Sequence, residues 1–98
     1  MNEKDVPATF ENIVSELNHA LTDKEVREIV VVTKDNATWT NIGNGVKNSV
    51  HIANGSIVVG DPELGLSILI GVESVSAIRI EKVDENKKIN YILVKFKR

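Results

Sequence analysis

The chain has 98 residues, of which 42% are hydrophobic and 27% charged, and its formal net charge is −2. This length and composition are typical of one globular domain, so we expect a single domain over residues 1–98, with residues 1–6 flexible. The absence of cysteine excludes disulfides, thiolate nucleophiles and cysteine-based zinc sites. No apolar run approaches the roughly 20 residues of a membrane span, and the N-terminus shows no apolar signal segment. We therefore expect a cytoplasmic protein without a membrane partner.

Charge is distributed unevenly along the chain. Residues 1–35 hold eight acidic and four basic residues, whereas residues 79–98 hold seven basic and three acidic residues. We expect these two segments to lie near each other and to compensate. The alternative is a basic patch for an anionic partner, although seven cations dispersed among acids are a weak footprint for nucleic acid.

The N-terminal part of the chain predicts one amphipathic helix. Its apolar residues recur at the spacing of a single helical stripe, and they are Phe10, Ile13, Val14, Leu17 and Leu21. We expect Phe10, Val14 and Leu17 to anchor this helix to the rest of the domain. Asp5 or Thr9 can supply the oxygen that caps its first turn.

From residue 28 onward the pattern changes to that of β-strands. Residues 29–33 are a β-branched run that predicts a central strand. Residues 38–42 alternate between two faces, with Trp39 and Asn41 on the same face, and together the two runs predict a hairpin around residues 35–37. Trp39 is either a core residue or an exposed anchor for a partner or ligand.

The strongest local turn signal is Asn54-Gly55, which separates two apolar alternating runs at residues 49–53 and 56–59. This dipeptide favours a two-residue type I′ hairpin turn, in which both central residues have positive φ. We therefore expect positive φ at Gly55.

Three further runs predict the remaining strands. Leucine and isoleucine alternate with small or apolar residues over residues 64–71, and the small residues allow close packing on their face. Residues 75–83 and 89–96 then predict a second hairpin across a loop at residues 84–88. Both faces of the last strand carry apolar residues, so at least its middle should be covered on both sides.

Residues 29–42, preceded by a helix and followed by β hairpins, resemble the opening of an Sm-like or SH3-like small barrel. The turn at residues 34–37 lacks the glycine of that family, and the later basic-glycine motif of Sm proteins is missing, so no RNA-binding residue is carried over. The fold we expect is α+β or mostly β. It has an N-terminal amphipathic helix followed by six or seven short antiparallel strands, arranged as a bent sheet or small barrel.

Residue types that carry chemistry are few. His19 falls near the end of the predicted helix, where an imidazolium complements the helix dipole, and His51 alternates with apolar neighbours in a strand, which favours a solvent or rim position. No Gly-x-Ser-x-Gly elbow, phosphate-binding glycine loop or acid and base pair is recognisable. We predict that the protein is not an enzyme, that it has no catalytic, cofactor-binding or metal residues, and that it uses no cofactor.

These observations favour a non-catalytic protein-interaction module that self-associates or binds another protein. Residues 29–32 and 89–96 are apolar on both faces, which leaves surface for a subunit interface, and the candidate partner surface comprises Trp39, Asn41 and His51. One alternative is a small-ligand-binding protein or unrecognised enzyme with a pocket between helix and sheet. Another is a nucleic-acid accessory factor, against which the 4% aromatic content argues, because single strands stack on aromatic side chains.

Overall fold

The computed structural model describes residues 2–35, 39–43, 45–61 and 65–98. Within these ranges the chain forms one helix, eight strands and two short 3₁₀ turns. The elements are β1 (Asn2–Pro7), α1 (Phe10–Thr22), β2 (Val26–Thr33), β3 (Trp39–Gly43), a turn at Lys47–Ser49, β4 (Val50–Ala53), β5 (Ser56–Asp61), β6 (Leu66–Gly71), a turn at Val72–Ser74, β7 (Val75–Val83) and β8 (Ile89–Lys97).

Five strands form the larger sheet, in the order β1-β8-β7-β2-β3. The predicted hairpins β2–β3 and β7–β8 are confirmed as antiparallel pairs. β2 lies between β7 and β3, so the central position predicted from its β-branched sequence is confirmed. The turn expected around residues 35–37 lies largely outside the described residues.

The smaller sheet contains β4, β5 and β6 in that order. Ala53 pairs with Ser56, so β4 and β5 are joined by a two-residue turn. Asn54 has φ of 52° and Gly55 has φ of 76°, and the predicted type of turn is therefore confirmed.

The N-terminal residues differ from the expectation. Where we expected flexibility over residues 1–6, residues 2–7 form β1, which pairs parallel with β8. The pairing occupies the outer edge of β8, whose N–H and C=O groups would otherwise be unpaired. The described ranges thus hold eight strands with one parallel pair, not six or seven antiparallel strands. The small-barrel alternative is not confirmed, since these strands form two sheets and neither closes on itself.

The helix begins after an N-cap at Thr9, whose hydroxyl accepts a hydrogen bond from the Asn12 N–H at 3.1 Å. Its buried residues are Ile13, Leu17 and Ala20. The expected anchor Phe10 is instead 47% exposed. Phe10 is the first helical residue, and helical side chains tilt toward the N-terminus, so this ring projects past the start of the helix.

One hydrophobic core unites the helix and both sheets. Its buried members are Ile13, Leu17, Ala20, Val26, Ile29, Val31, Ile42, Ile57, Val59, Ile70, Val72, Val75, Ile78, Ile80, Val94 and Phe96. Burial of this apolar surface is the main force that holds the helix against the strands.

The predicted compensation between the two charged segments is confirmed. Ion pairs that join residues 1–35 to residues 79–98 are Lys95–Glu3 at 3.4 Å, Arg79–Glu28 at 3.5 Å, Lys82–Asp23 at 2.9 Å and Lys82–Glu25 at 3.9 Å. Sheet pairing places the two segments side by side, since β1 pairs with β8 and β2 pairs with β7. Several cations of the basic segment are therefore neutralised within the chain.

Candidate functional site

The two histidines lie apart in the fold, one on the helix and one on the smaller sheet. His19 is exposed in the last turn of α1, where its C=O accepts a hydrogen bond from the Asp23 N–H at 3.1 Å. His51 lies on β4. Among the described residues no cluster of three or more His, Cys, Asp or Glu could hold a metal ion. No helix there is long and apolar enough to cross a membrane.

The three residues of the predicted partner surface fall in two places. Asn41 is exposed on β3, where it is the register partner of Val30. Trp39 lies on the same strand, paired with Val32 along the backbone, but its side chain is outside the described part of the structure. His51 is exposed on the smaller sheet. Sequence alternation predicted the exposure of His51 correctly, but it did not reveal that His51 and Asn41 belong to different sheets.

The outer face of the larger sheet, which is the face opposite the core, carries a network of one cation, one tyrosine and two carboxylates. Arg79 lies 5.4 Å from the ring centroid of Tyr91 and 3.5 Å from a carboxylate oxygen of Glu28. The Tyr91 hydroxyl donates a hydrogen bond to Glu81 at 3.1 Å, and this bond to the carboxylate raises the pKa of Tyr91. The cation thus compensates part of the carboxylate charge here.

The prediction of exposed apolar surface on β2 is wrong, and the Arg79 side chain of this network helps to explain why. We expected residues 29–32 to leave apolar surface outside the core, yet Val30 is 2% exposed and Val32 is 9% exposed. Arg79 is the register partner of Val30, and its long side chain lies on that face. On β8, Leu93 is half-buried, and Ile89 at the start of the strand is 55% exposed.

Two large exposed apolar side chains are neighbours on β6, at an edge of the smaller sheet. Ile68 is 52% exposed and Leu69 is 68% exposed. Among the described strands β6 pairs with β5 alone, so in this part of the structure the backbone groups on its other edge have no strand partner. Sequence reasoning noted the alternation of this run but not its position at an edge. The sequence carries no edge signal here, because residues 66–71 lack the charged residues and proline that commonly mark an edge strand.

His51 on β4 and Leu69 on β6 are both exposed and belong to one cross-strand row. His51 is directly opposite Val58 on β5, and Val58 is directly opposite Leu69 on β6. Directly opposed residues in an antiparallel sheet project from the same face, so these three side chains share the face that points away from the core. The predicted partner residue His51 thus lies on the same surface as Leu69. We call this row, together with the free edge of β6, the β6 surface.

The other three sheet edges are less suited to pairing with another chain. β1 carries Glu3, Lys4, Asp5 and Pro7, and charges and proline on an edge strand oppose intermolecular pairing. β3 and β4 are short, with five and four residues. β6 has six residues, all uncharged, and is the best template among the described edges.

Two clefts bear on ligand binding. A groove of about 390 Å³ lies beside the end of β6, and its lining residues are Thr33, Lys34, Asp35, Leu69, Ile70, Gly71 and Ser74. The cleft between helix and sheet is smaller, at about 200 Å³. Ion pairs Lys4–Glu16 at 2.7 Å and Lys82–Asp23 at 2.9 Å are formed by residues that line it.

Lys47 is a buried cation that nothing in the sequence marks as special. It is 9% exposed, and its ammonium donates hydrogen bonds to the backbone C=O groups of Asp23 and Val26, each at 2.9 Å. The Glu25 N–H and the Lys82 ammonium both bind the Asp23 carboxylate and hold the pKa of Asp23 below its ordinary value. The two hydrogen bonds from the Lys47 ammonium tie the Lys47–Ser49 turn to the link between α1 and β2.

The fold is therefore α+β, with a helix and two sheets around one core, and its most exposed apolar feature is the β6 surface. Comparison of the chain with protein-family models, with curated proteins and with solved structures finds no significant match in any of the three.

Proposed function

We propose that this protein is a non-catalytic protein-interaction module that self-associates through the β6 surface. The observation that carries the proposal is an uncharged edge strand on which Ile68 is 52% exposed and Leu69 is 68% exposed. Exposed apolar side chains beside unpaired backbone groups favour the addition of another strand.

A second copy of the chain is the partner that this chemistry fits best. The strand has no charge that would select a partner of opposite charge. An antiparallel pair of identical strands satisfies the same N–H and C=O groups on both sides, and closed two-fold dimers are the commonest homo-oligomers. Because the chain has no cysteine and so needs no oxidising compartment for disulfides, we include a cytoplasmic location in the proposal.

The two alternative functions have less support. Ligand pockets usually enclose about 300–1,000 Å³, and the cleft between helix and sheet, at about 200 Å³ between ion-paired side chains, is below this range. The groove of about 390 Å³ is within the range, but Leu69 and Gly71 of the proposed pairing strand line it. A nucleic-acid surface needs free cations, but three of the seven basic residues over residues 79–98, Arg79, Lys82 and Lys95, are paired with carboxylates.

Sedimentation equilibrium at micromolar concentration tests the proposal. We expect a mass above the 10.8 kDa of one chain. Leu69→Lys should return the protein to the monomer, because a charge on an edge strand opposes pairing. Ile89→Lys is the matched control, since Ile89 is 55% exposed on the larger sheet and should leave the mass unchanged.

A monomer mass for the unmodified chain across the concentration range would overturn the proposal. Association retained in Leu69→Lys would place the interface elsewhere. Far-ultraviolet circular dichroism on each variant establishes that the fold is retained, so that a change of mass reports the interface itself.

A further inference from the structure

The direction of the backbone groups on β6 follows from the hydrogen bond next to it. The Val72 N–H donates to the Gly55 C=O at 2.9 Å, just beyond the pair of Ser56 with Gly71. Hydrogen-bonded and non-hydrogen-bonded pairs alternate along an antiparallel ladder. Gly71 therefore belongs to a non-hydrogen-bonded pair, as does Leu69 two residues earlier. The N–H and C=O groups of these residues point away from β5, toward the free edge.

The hairpin at the other edge of β5 gives the same assignment. In a two-residue hairpin the pair next to the turn is hydrogen-bonded, so the backbone groups of Ser56 point toward β4. Those of Ile57 then point toward β6, where Ile57 is opposite Ile70. Ile70 is thus bonded to β5, and the outward residues of β6 are Ser67, Leu69 and Gly71.

From this geometry we propose a specific pairing of two copies, which rests on the self-association proposed above. The two β6 strands pair antiparallel about a two-fold axis at Leu69. Leu69 lies opposite the partner's Leu69, and Ser67 lies opposite the partner's Gly71. All three outward residues of each strand are then paired, and about six N–H···O bonds form, two for each pair. A pairing centred one residue earlier or later pairs only two of the three.

The side chains fit this register. On the outer face the two Leu69 side chains come together, which extends the row that runs from His51 through Val58. On the core face Ile68 lies opposite the partner's Ile70 and loses part of its 52% exposure. The groove of about 390 Å³ beside Leu69 and Gly71 provides room next to the strand. A continuous six-stranded sheet results.

Single-cysteine variants test the register, because the natural chain has no cysteine to compete. In Leu69→Cys the two introduced thiols are on directly opposed residues, with Cα atoms about 5.5 Å apart, which is within disulfide range. In Ser67→Cys the equivalent thiols are four residues out of register, about 14 Å apart, and cannot bond. Mild oxidation should therefore link the first variant into covalent dimers and leave the second unlinked.

A substitution at Gly71 tests the outward N–H directly. Gly71 has φ of −62°, which proline adopts without strain, so Gly71→Pro removes the N–H with little change to the backbone. Gly71→Ala keeps the N–H, and its Cβ would lie 3.5 Å from the Ser74 hydroxyl oxygen, which is ordinary contact. We expect Gly71→Pro to weaken dimerisation about tenfold or more, because each of the two copies loses one N–H···O bond to its partner. Gly71→Ala should change dimerisation little.

The outcomes separate the two proposals. If the unmodified chain is a monomer, both are overturned. If it is a dimer but Ser67→Cys is linked in place of Leu69→Cys, or if neither is linked and Gly71→Pro associates normally, the register is wrong while self-association stands. Linkage of Leu69→Cys alone, with weakened association in Gly71→Pro, supports the register.

Discussion

Truncation of Leu17 tests whether the helix is held to the domain by its buried stripe. Leu17 is 1% exposed in the core, whereas Phe10 on the same helix is 47% exposed. We expect Leu17→Ala to destabilise the protein strongly and Phe10→Ala, the matched control, to destabilise it little. Alanine has the highest helix propensity, so neither loss can come from a weaker helix.

The magnitude follows from the carbon atoms that each substitution removes. Leu17→Ala deletes three buried carbons at about 0.8 kcal/mol each, and the cavity that remains brings the expected loss to about 3–5 kcal/mol. Full burial of a phenylalanine is worth about 1.5–3 kcal/mol, so the half-exposed Phe10 should cost about 1 kcal/mol. For a domain of this size each kcal/mol lowers the melting temperature by about 4–8 °C.

The assay is urea unfolding followed by circular dichroism, with both variants and the natural chain at one protein concentration. The midpoint should fall by more than 1 M for Leu17→Ala, because the slope is about 1–3 kcal/mol/M for small proteins. Equal midpoints for the two variants, or a larger loss for Phe10→Ala, would show that the helix packs through its N-terminal end and would refute the assigned core.

Three further substitutions have defined outcomes. Lys47→Met should lower the free energy of unfolding by about 1–3 kcal/mol, because two buried carbonyls lose their donor; an unchanged urea midpoint would show that water replaces the ammonium. Gly55→Val should cost about 1–2 kcal/mol at its positive φ, and Gly55→Asn distinctly less; equal losses would argue against strain. The Glu25 N–H and Lys82 lower the pKa of Asp23, so this carboxylate stabilises the fold above its unfolded pKa, and the gain is lost as pH falls below about 4. Because the side chain of Asp23 is 34% exposed, Asp23→Asn should cost less than about 1 kcal/mol at pH 7 and nothing at pH 2; a loss independent of pH would contradict this account.

Several elements could be predicted from the sequence because their determinants are local. The 3.6-residue period of the helix, the β-branched run of β2 and the Asn54-Gly55 turn each depend on residues that are neighbours in the chain. The same holds for the exposed position of His51, which alternates with the half-buried Val50 and Ile52.

Strand order, by contrast, depends on which edges meet after the chain collapses. Nothing within residues 2–7 indicates a strand, and β1 forms because β8 offers it a free edge. Sequence alternation also cannot distinguish a strand that is paired on both sides, such as β2, from an edge strand such as β6. The candidate site was therefore predictable in part, since residue pattern indicated that His51 points to solvent but not that it shares a face with Leu69.

The sequence by itself determined the helix, most of the strands and the tight turn, because periodicity and backbone preference act over a few residues. Only the tertiary structure decided that Phe10 lies outside the core, that Lys47 bonds two carbonyls from another part of the chain, and that the uncharged β6 is an edge. Each of these depends on contacts between residues distant in sequence, and burial, pairing and exposure are settled only when those segments pack against one another.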